Sequence, residues 1–222
     1  RYRQFHQFGV EAIGNGGPEQ DVEVIDLAYS LCTQLGIKNL KVKINSLGTP
    51  TTRALFREKL KDYLSSHMEG MSEDSKRRFE INPLRILDSK SPEDQKIVEG
   101  APSILDFLDP ASKAHFEKVQ ALLAKMEIPF EIDPLLVRGL DYYNLTVFEI
   151  ISSELGAHNT IIGGGRYDGL IKSLGGPDLP AFGFGCGLER LLQVMLKQMV
   201  PLPERPRPSL FFIPLGESAK EA

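Results

Sequence analysis

The residues best suited to chemistry form a run of alternating glycines that ends in a Glu-Arg pair, at residues 183–190 (Gly-Phe-Gly-Cys-Gly-Leu-Glu-Arg). On a strand, glycines at every second position remove the side chains from one face, so a flat ligand or another backbone can lie against the sheet. Apolar residues then recur at helical spacing over 188–199, which places Arg190 in the first turn of a helix, where a cation opposes the helix dipole. The pattern indicates a binding element, and a glycine-rich turn with a solvated arginine is the alternative.

The opening segment, residues 1–11, has the aromatic content of a strand. Strand alternation would place six of its residues on one face: Arg1, Arg3, Phe5, Gln7, Gly9 and Glu11. Two guanidinium groups, a ring, an amide and a carboxylate in this order can bind phosphate, stack on a base and hydrogen-bond a polar zwitterion. The alternative is an exposed edge of a sheet, although the opposite face is only partly apolar.

A third polar cluster, residues 138–143 (Arg-Gly-Leu-Asp-Tyr-Tyr), lies between apolar runs. Buried polar groups need partners, so a cation, an acid and two phenols within six residues indicate a binding site. A tight turn with a salt bridge between Arg138 and Asp141 is the alternative.

A second glycine-rich segment, residues 163–170 (Gly-Gly-Gly-Arg-Tyr-Asp-Gly-Leu), precedes a short helix. It lacks the Gly-Lys-Ser/Thr ending of a phosphate-binding P-loop. The run at 183–188 has neither the glycine spacing of the dinucleotide-binding fingerprint nor its acidic strand end. Both of these familiar nucleotide folds are therefore disfavoured.

The elements that position these segments follow from apolar periodicity. A helix is predicted from Pro18 to Gly36, a strand over 40–44, and a further helix that Thr49 caps and Pro50 begins. Three more strands are predicted, at residues 130–132, 146–150 and 160–162. The last two form an antiparallel meander.

Residues 48–126 consist of short, polar, mostly helical pieces, and we interpret them as a small helical insertion. Within it, the run at 76–78 (Lys-Arg-Arg) fits a solvated helix face, and contact with an RNA backbone is the alternative.

Composition limits the function only loosely. The chain has 222 residues, a formal net charge of −4 and 41% hydrophobic residues, which suits one large domain or one domain with an insertion. An acidic total argues against a dedicated nucleic-acid surface but not against a local basic patch. Cys32 and Cys186 lie in apolar contexts, so we expect reduced, structural thiols in a cytoplasmic protein. No apolar run approaches the roughly 20 residues of a membrane span.

The order of the polar segments is more specific than any one of them. The chain closely resembles the catalytic domain of the histidyl-tRNA synthetase family in four segments: Arg-x-Arg-x-Phe-x-Gln-x-x-x-Glu at 1–11, Arg-Gly-Leu-Asp-Tyr-Tyr at 138–143, Gly-Gly-Arg-Tyr-Asp-Gly-Leu at 164–170 and Gly-x-Gly-x-Gly-x-Glu-Arg at 183–190. The resemblance runs from residue 1 to about residue 198, and residues 82–90 resemble the bacterial type.

The resemblance implies an α+β fold, with a class II synthetase-type antiparallel sheet flanked by helices and a small helical insertion domain. It divides the chain into four parts: the second part of the catalytic domain at 1–47, the insertion at 48–126, the C-terminal part of the catalytic domain at 127–200, and a linker with the start of an anticodon-binding domain at 201–222. The first class II motif and the first strand of the second motif are absent. We therefore expect a fragment that does not catalyse aminoacylation alone.

The resemblance also assigns residues to ATP. The implied contacts come from Arg1, Arg3, Phe5, Arg138, Gly185, Gly187 and Arg190. Phe5 stacks on the adenine and Arg190 pairs with the terminal phosphate. Arg138 spans the substrate carboxylate and the α-phosphate, so Arg138 and Arg190 are the implied catalytic residues. Glu189 orders Arg190 or a metal, and no metal site built from cysteine or histidine ligands is implied.

Five residues are implied to bind histidine: Gln7, Glu11, Tyr142, Tyr143 and Tyr167. Gln7 contacts the α-amino group, while Glu11 and Tyr143 contact the imidazole. An isostere without ring nitrogens would leave Glu11 and the tyrosine hydroxyl buried and unpaired, which costs roughly 1 to 3 kcal/mol per group. Editing is therefore expected to be unnecessary.

The family resemblance implies activation of L-histidine with ATP and Mg²⁺, transfer to tRNA(His), and a cytoplasmic homodimer in the full-length protein. Two other classes share the fold. One is a histidine-sensing regulatory paralogue of ATP phosphoribosyltransferase, and the other is a synthetase-like domain that binds uncharged tRNA without chemistry. Both classes are expected to have lost nucleotide-binding features of the synthetases. This chain keeps two residues of that kind, Arg138 and Arg190.

Overall fold

The structure is a computed structural model that describes residues 3–155, 159–202, 209–210 and 213. Its strands are β1 (Gln7–Ile13), β2 (Leu40–Ser46), β3 (Phe130–Ile132), β4 (Asn144–Ser152), β5 (Thr160–Arg166) and β6 (Ala181–Gly187). Its α-helices are α1 (Pro18–Gln34), α2 (Pro50–Ser65), α3 (Glu73–Ile81), α4 (Pro92–Val98), α5 (Pro110–Lys125), α6 (Leu170–Ser173) and α7 (Leu188–Lys197). Most of the predicted linker, and most of the expected start of an anticodon-binding domain, lies outside the described residues.

The six strands form one sheet in the order β1-β6-β5-β4-β2-β3. Each neighbouring pair is antiparallel except β2 and β3, which run parallel. The predicted antiparallel meander is confirmed, because β4 pairs directly with β5. The α+β prediction is also confirmed, since helices flank a largely antiparallel sheet.

The opening strand is shorter than its alternation predicts. The prediction places a strand over residues 1–11, whereas β1 begins at Gln7 and residues 3–6 are irregular. The reason lies in its partner: Gln7 pairs with Gly187, the last residue of β6, and the chain then turns into α7 at Leu188. A final hydrogen bond runs from the Leu188 N–H to the His6 carbonyl at 2.9 Å, and beyond it β6 offers no further strand to pair with.

Local signals at the helix starts are confirmed. Thr49 caps α2 by accepting a hydrogen bond from the Thr52 N–H, and Pro50 is the first helical residue. Asp109 caps α5 in the same way through the Ser112 N–H. These helices begin where side chains satisfy the otherwise free N–H groups of the first turn.

The helices contribute to two separate hydrophobic clusters. Helices α1, α5 and α7 pack on one face of the sheet and share a core with it. Helix α2, the helical turns that follow it and residues 136–137 form a second cluster. The sequence predicts one insertion over 48–126, but α5 packs mainly on α1 and belongs to the main core, because Phe116, Val119 and Leu123 form an apolar stripe that faces the sheet.

None of the helices in the described part of the chain is both long and apolar enough to cross a bilayer.

Candidate functional site

A floor of glycines runs across two neighbouring strands. In β6, Gly183 and Gly185 point to the face opposite the main core, and each pairs directly with a glycine of β5. The partners are Gly165 and Gly163, so the two strands leave the same face bare. On the far side of β6, Gly185 lies opposite Gly9 of β1. The glycine floor, as we call Gly163, Gly165, Gly183, Gly185 and Gly187, is therefore a continuous surface of backbone.

Two charged side chains lie directly on this floor. A Cβ atom at Gly163 would be 2.5 Å from Arg138 Nη1, and one at Gly183 would be 1.8 Å from Glu11 Oε2. Such distances are far shorter than a contact between non-bonded atoms allows. Glycine is therefore required at both positions so that Arg138 and Glu11 can approach the sheet.

Arg138 is held over the floor by β4. Its guanidinium donates a short hydrogen bond to Glu149, whose second carboxylate oxygen accepts from the Thr160 hydroxyl at 2.8 Å. The guanidinium also lies 5.7 Å from the centre of the Tyr143 ring. Its buried Nε has no hydrogen-bond partner among the described residues, so one donor is left for a ligand oxygen.

The alternative interpretation of residues 138–143, a tight turn closed by an ion pair between Arg138 and Asp141, is wrong. Arg138 pairs with Glu149, and the Asp141 carboxylate accepts instead from the Asn82 amide at 2.7 Å. Sequence reasoning missed Glu149 as the partner of Arg138. The available signal was a lone acid within the apolar strand β4, since a half-buried carboxylate of this kind needs a partner.

Three tyrosines gather beside Glu11. The Tyr167 hydroxyl donates a short hydrogen bond to the Glu11 carboxylate. Tyr142 and Tyr143 have ring centres 4.7 Å apart, and the Tyr143 and Tyr167 rings lie edge to face at 6.4 Å. The structure thus brings together four of the five residues expected to bind histidine, with aromatic walls around one carboxylate.

Burial raises the pKa values of two of these phenols, Tyr143 and Tyr167, further above neutrality. It raises the pKa of Tyr143 to about 12, and the nearby Arg138 only partly offsets this. Burial and the hydrogen bond to Glu11 together raise the pKa of Tyr167 above its usual range. Both hydroxyls are therefore hydrogen-bond donors at neutral pH.

A buried ion network fixes the backbone beneath Tyr167. The preceding residue, Arg166, is fully buried on the core face and donates to the fully buried Asp21 of α1 and, at 3.2 Å, to Asp168. The second carboxylate oxygen of Asp21 lies 2.7 Å from His115 Nε2 of α5. The network ties the end of β5 to two helices of the main core.

Asn144 links the two tyrosine segments. Its amide donates to the Asp168 carbonyl at 2.8 Å and accepts from the Asp168 N–H at 3.3 Å. Because Asn144 directly follows Tyr143 and Asp168 directly follows Tyr167, this double contact sets the distance between the two rings.

The nucleotide end of the predicted site is more open. Arg190 is exposed and donates to the Thr160 carbonyl at 2.9 Å. Glu189 does not contact Arg190 as expected; it accepts from the His6 N–H at 2.9 Å and lies 2.8 Å from the His6 ring nitrogen. These bonds hold the pKa of Glu189 below its ordinary value.

The remaining predicted residues lie near the β1 edge of the sheet. Gln7 is exposed, and its Nε2 would be 3.6 Å from a Cβ at Gly185. Phe5 is 56% exposed and Arg3 is exposed, and both precede the strand. Arg1 lies outside the described residues.

A cavity of about 430 Å³ lies next to the Arg138–Glu149 pair. The sheet contributes Lys43, Glu149 and Thr160 to its lining, α7 contributes Arg190, and residues 87–90 of the insertion contribute its opposite wall. Among the described residues, no three histidine, cysteine, aspartate or glutamate side chains are grouped as a metal site. Cys32 and Cys186 are buried free thiols whose pKa values burial raises to about 11 and about 12.

The sequence and the fold of this chain are similar to those of known proteins. The family model described as "Histidyl-tRNA synthetase" matches residues 1–191. The histidine–tRNA ligase of Protochlamydia amoebophila (strain UWE25) is 60% identical over 221 residues, which are 100% of this chain and 52% of that protein. The structure of apo S. aureus histidyl-tRNA synthetase is similar with a TM-score of 0.74 and 37% identity, over 99% of this chain and 54% of that chain.

The six-stranded sheet and its flanking helices have the fold of a class II aminoacyl-tRNA synthetase. Within that class, the chain belongs to the histidyl-tRNA synthetase family. It spans about half the length of the curated relatives that it matches. A protein described as an ATP phosphoribosyltransferase regulatory subunit/histidyl-tRNA synthetase from Bacillus halodurans C is 22% identical, with a TM-score of 0.59 over 86% of this chain and 53% of that chain, and this likeness shows the fold alone.

Proposed function

We propose that this chain forms part of the catalytic site of a histidine–tRNA ligase, and that the complete protein activates L-histidine with ATP and transfers histidine from histidyl-adenylate to tRNA(His). The observation that carries the proposal is the arrangement along the glycine floor. The Glu11 carboxylate, bonded to Tyr167, lies over one glycine, and Arg138, bonded to Glu149, lies over another on the same face. One small amino acid can place its side chain at the first group and its reacting carboxylate at the second.

The tyrosine end suits an imidazole. Glu11 accepts a hydrogen bond from one ring nitrogen, and the neutral Tyr143 hydroxyl bonds the other. Tyr142 and Tyr167 close the pocket, and Gln7 bonds the α-amino group. A ligand without ring nitrogens would form neither the hydrogen bond to Glu11 nor the one to Tyr143, so the pocket discriminates by hydrogen bonds rather than by volume.

The arginine end suits the chemical step. A carboxylate oxygen of histidine attacks the α-phosphorus of ATP, the new C(O)–O–P bond forms, and the bond to the β-phosphate oxygen breaks to release pyrophosphate. Arg138 spans the attacking carboxylate and the α-phosphate, and it stabilises the negative charge that grows there. Its position over Gly163 and its bond to Glu149 support this role, because a guanidinium held in advance needs no reorganisation.

The rest of ATP lies toward the open end. Phe5 stacks on the adenine, Gly185 and Gly187 form the floor beneath the nucleotide, and Arg190 pairs with the terminal phosphate. Arg1 and Arg3 contact the phosphates or the tRNA end. Mg²⁺ would come with ATP as part of the substrate and would supply positive charge that offsets the charge of the phosphates.

The complete protein is proposed to be a cytoplasmic homodimer that binds tRNA(His). Within it, residues 1–47 and 127–200 form part of the catalytic domain, residues 48–126 form an insertion, and residues 201–222 lead into an anticodon-binding domain. The packing of α5 on the main core favours an insertion that ends before Pro110.

Histidine-dependent exchange of labelled pyrophosphate into ATP, measured on the complete protein, tests this function. The wild-type protein is expected to catalyse exchange with histidine and not with other amino acids. Arg138→Ala should lower the exchange rate by at least about 100-fold, far more than it weakens histidine binding in calorimetry. Arg77→Ala, which removes an exposed arginine of α3, is the matched control.

Two outcomes would contradict the proposal. Histidine binding without any pyrophosphate exchange would favour a regulatory paralogue. Binding of uncharged tRNA with neither histidine binding nor exchange would favour a sensor domain. An Arg138→Ala protein that only binds histidine more weakly, with the exchange rate at saturation preserved, would remove Arg138 from the chemical step.

A further inference from the structure

The loop that carries Arg138, Tyr142 and Tyr143 is bonded to the helical insertion. The Asn82 amide donates to the Asp141 carboxylate at 2.7 Å, and Arg53 Nη1 donates to the Asp141 backbone carbonyl, also at 2.7 Å. Asn82 ends α3 and Arg53 lies in α2. Two separate elements of the insertion thus bond to a single residue of the loop.

A third contact covers the same loop. A Cβ atom at Gly139 would be 3.3 Å from Arg85 Nη2, so the turn after Asn82 lies close against the loop backbone. The loop residues 139–142 are exposed and lie outside the sheet. Hydrogen bonds from the insertion are therefore a large part of what fixes their position.

The two donors are themselves held firmly. The Asn82 backbone N–H bonds to the Arg78 carbonyl at 2.7 Å, at the end of α3. Arg53 is half-buried, and its Nε has no hydrogen-bond partner among the described residues. Within the described part of the chain, the Arg53 guanidinium donates to the Asp141 carbonyl, and losing this bond would leave a half-buried cation poorly satisfied.

Asp141 lies three residues after Arg138 and immediately before the two tyrosines. A displacement of Asp141 moves the backbone on both sides and shifts the guanidinium and the Tyr143 ring relative to the glycine floor. A misplacement of about 1 Å by a change remote from the reacting atoms can lower a rate by about 100-fold. The insertion can therefore influence the site without touching a ligand.

We propose that Asn82 and Arg53 are positioning residues through which the helical insertion holds Arg138 and Tyr143 in their working geometry. This inference rests on the proposed function. Neither residue touches histidine or ATP in the proposal, and each acts through Asp141.

An exchange of the hydrogen-bonding partners tests the Asn82 contact in the complete protein. Asn82→Asp places two carboxylates within bonding distance, so kcat/KM for histidine in pyrophosphate exchange should fall at least about tenfold. Adding Asp141→Asn restores one amide and one carboxylate with their roles reversed. The double variant should recover to within about threefold of the wild type, as coupling between residues in direct contact requires.

Arg53→Ala tests the second contact. It should also lower kcat/KM for histidine by about tenfold or more, because the Asp141 carbonyl loses a charged donor. Lys61→Ala is its matched control: Lys61 lies two turns further along α2 and pairs with Glu80 of α3 at 3.8 Å, away from the loop. Its kinetics should equal those of the wild type.

Melting temperatures and active-site titration separate positioning from folding. If Asn82→Asp lowers only the fraction of active protein, with kcat and KM per active site unchanged, the inference fails and the contact is merely structural. Failure of the double variant to recover overturns it as well. A wild-type protein without histidine-dependent exchange refutes the proposed function instead, so the two failures are distinguishable.

Discussion

The two faces of β5 and β6 differ completely although they belong to the same strands. One face consists of glycines and bears the candidate site, whereas the other places Phe182, Phe184 and Cys186 in the main core. Strand alternation makes this possible, because successive residues point to opposite faces. The comparison teaches that the residues for stability and those for ligand contact are interleaved one by one, so a substitution should impair one property and spare the other.

Phe182→Ala should have the largest effect, on the core face. Phe182 is fully buried and stacks on Phe148 with ring centres 5.8 Å apart and nearly parallel planes. Its truncation should lower the free energy of unfolding by about 3 to 5 kcal/mol, measured by urea denaturation. Phe182→Leu should lower it less. An unchanged denaturation midpoint with lost activity would contradict the division between the faces.

Gly163→Ala should do the opposite. The new Cβ would overlap the Arg138 guanidinium. The guanidinium can rotate away at little cost to the stability of the fold, but it then no longer lies at the candidate site. We expect a loss of about 100-fold in pyrophosphate exchange and a loss of less than about 1 kcal/mol in stability. Gly70→Ala, where a Cβ would lie 3.6 Å from Ile97, is the control. Full activity of Gly163→Ala would mean that Arg138 is not needed over the floor.

Tyr143 allows a test of burial by pH. Its pKa is about 12 in the folded chain because of burial, against about 10 when unfolded. The raised pKa means that its stability contribution is present below about pH 10 and is lost as the pH rises toward about 12. In urea denaturation, Tyr143→Phe should flatten this decline by on the order of 2 kcal/mol. Parallel curves for the two proteins would show that Tyr143 is not desolvated.

Tyr167→Phe should have the smallest effect. It removes the hydroxyl that bonds Glu11 but keeps the ring, so the KM for histidine in pyrophosphate exchange should rise about tenfold with kcat little changed. Tyr29→Phe is the control on the other face of the sheet, since Tyr29 packs against the main core. Equal KM values for the two variants would argue against a role of Tyr167 in the pocket.

Features encoded within a few residues were predictable. Thr49 and Pro50 begin α2 as expected, and alternation correctly indicated that the glycines of β6 share one face. The resemblance to the histidyl-tRNA synthetase family, carried by four short segments, is confirmed. These signals are local because they depend on backbone geometry and on the first turn of a helix.

Features that depend on distant partners were not predictable. Nothing near Arg138 in the sequence shows that Glu149 is its partner, and nothing near Asp21 indicates the buried Arg166, which is 145 residues away. The start of β1 at Gln7 was missed for the same reason, because it is set by the end of β6. The apolar residues of α5 do not show by themselves against which core the helix packs.

By itself, the sequence of this protein determined its family, its α+β class and the identity of the glycines and charged residues that meet at the site. Only the tertiary structure decided that Arg138 lies on Gly163 and that Glu11 lies on Gly183. It also decided that the insertion bonds to the loop that carries Arg138. The physical reason is that a glycine in the sequence shows only that a side chain is absent at that position. Which distant group fills that space depends on how the strands pair and how the helices pack.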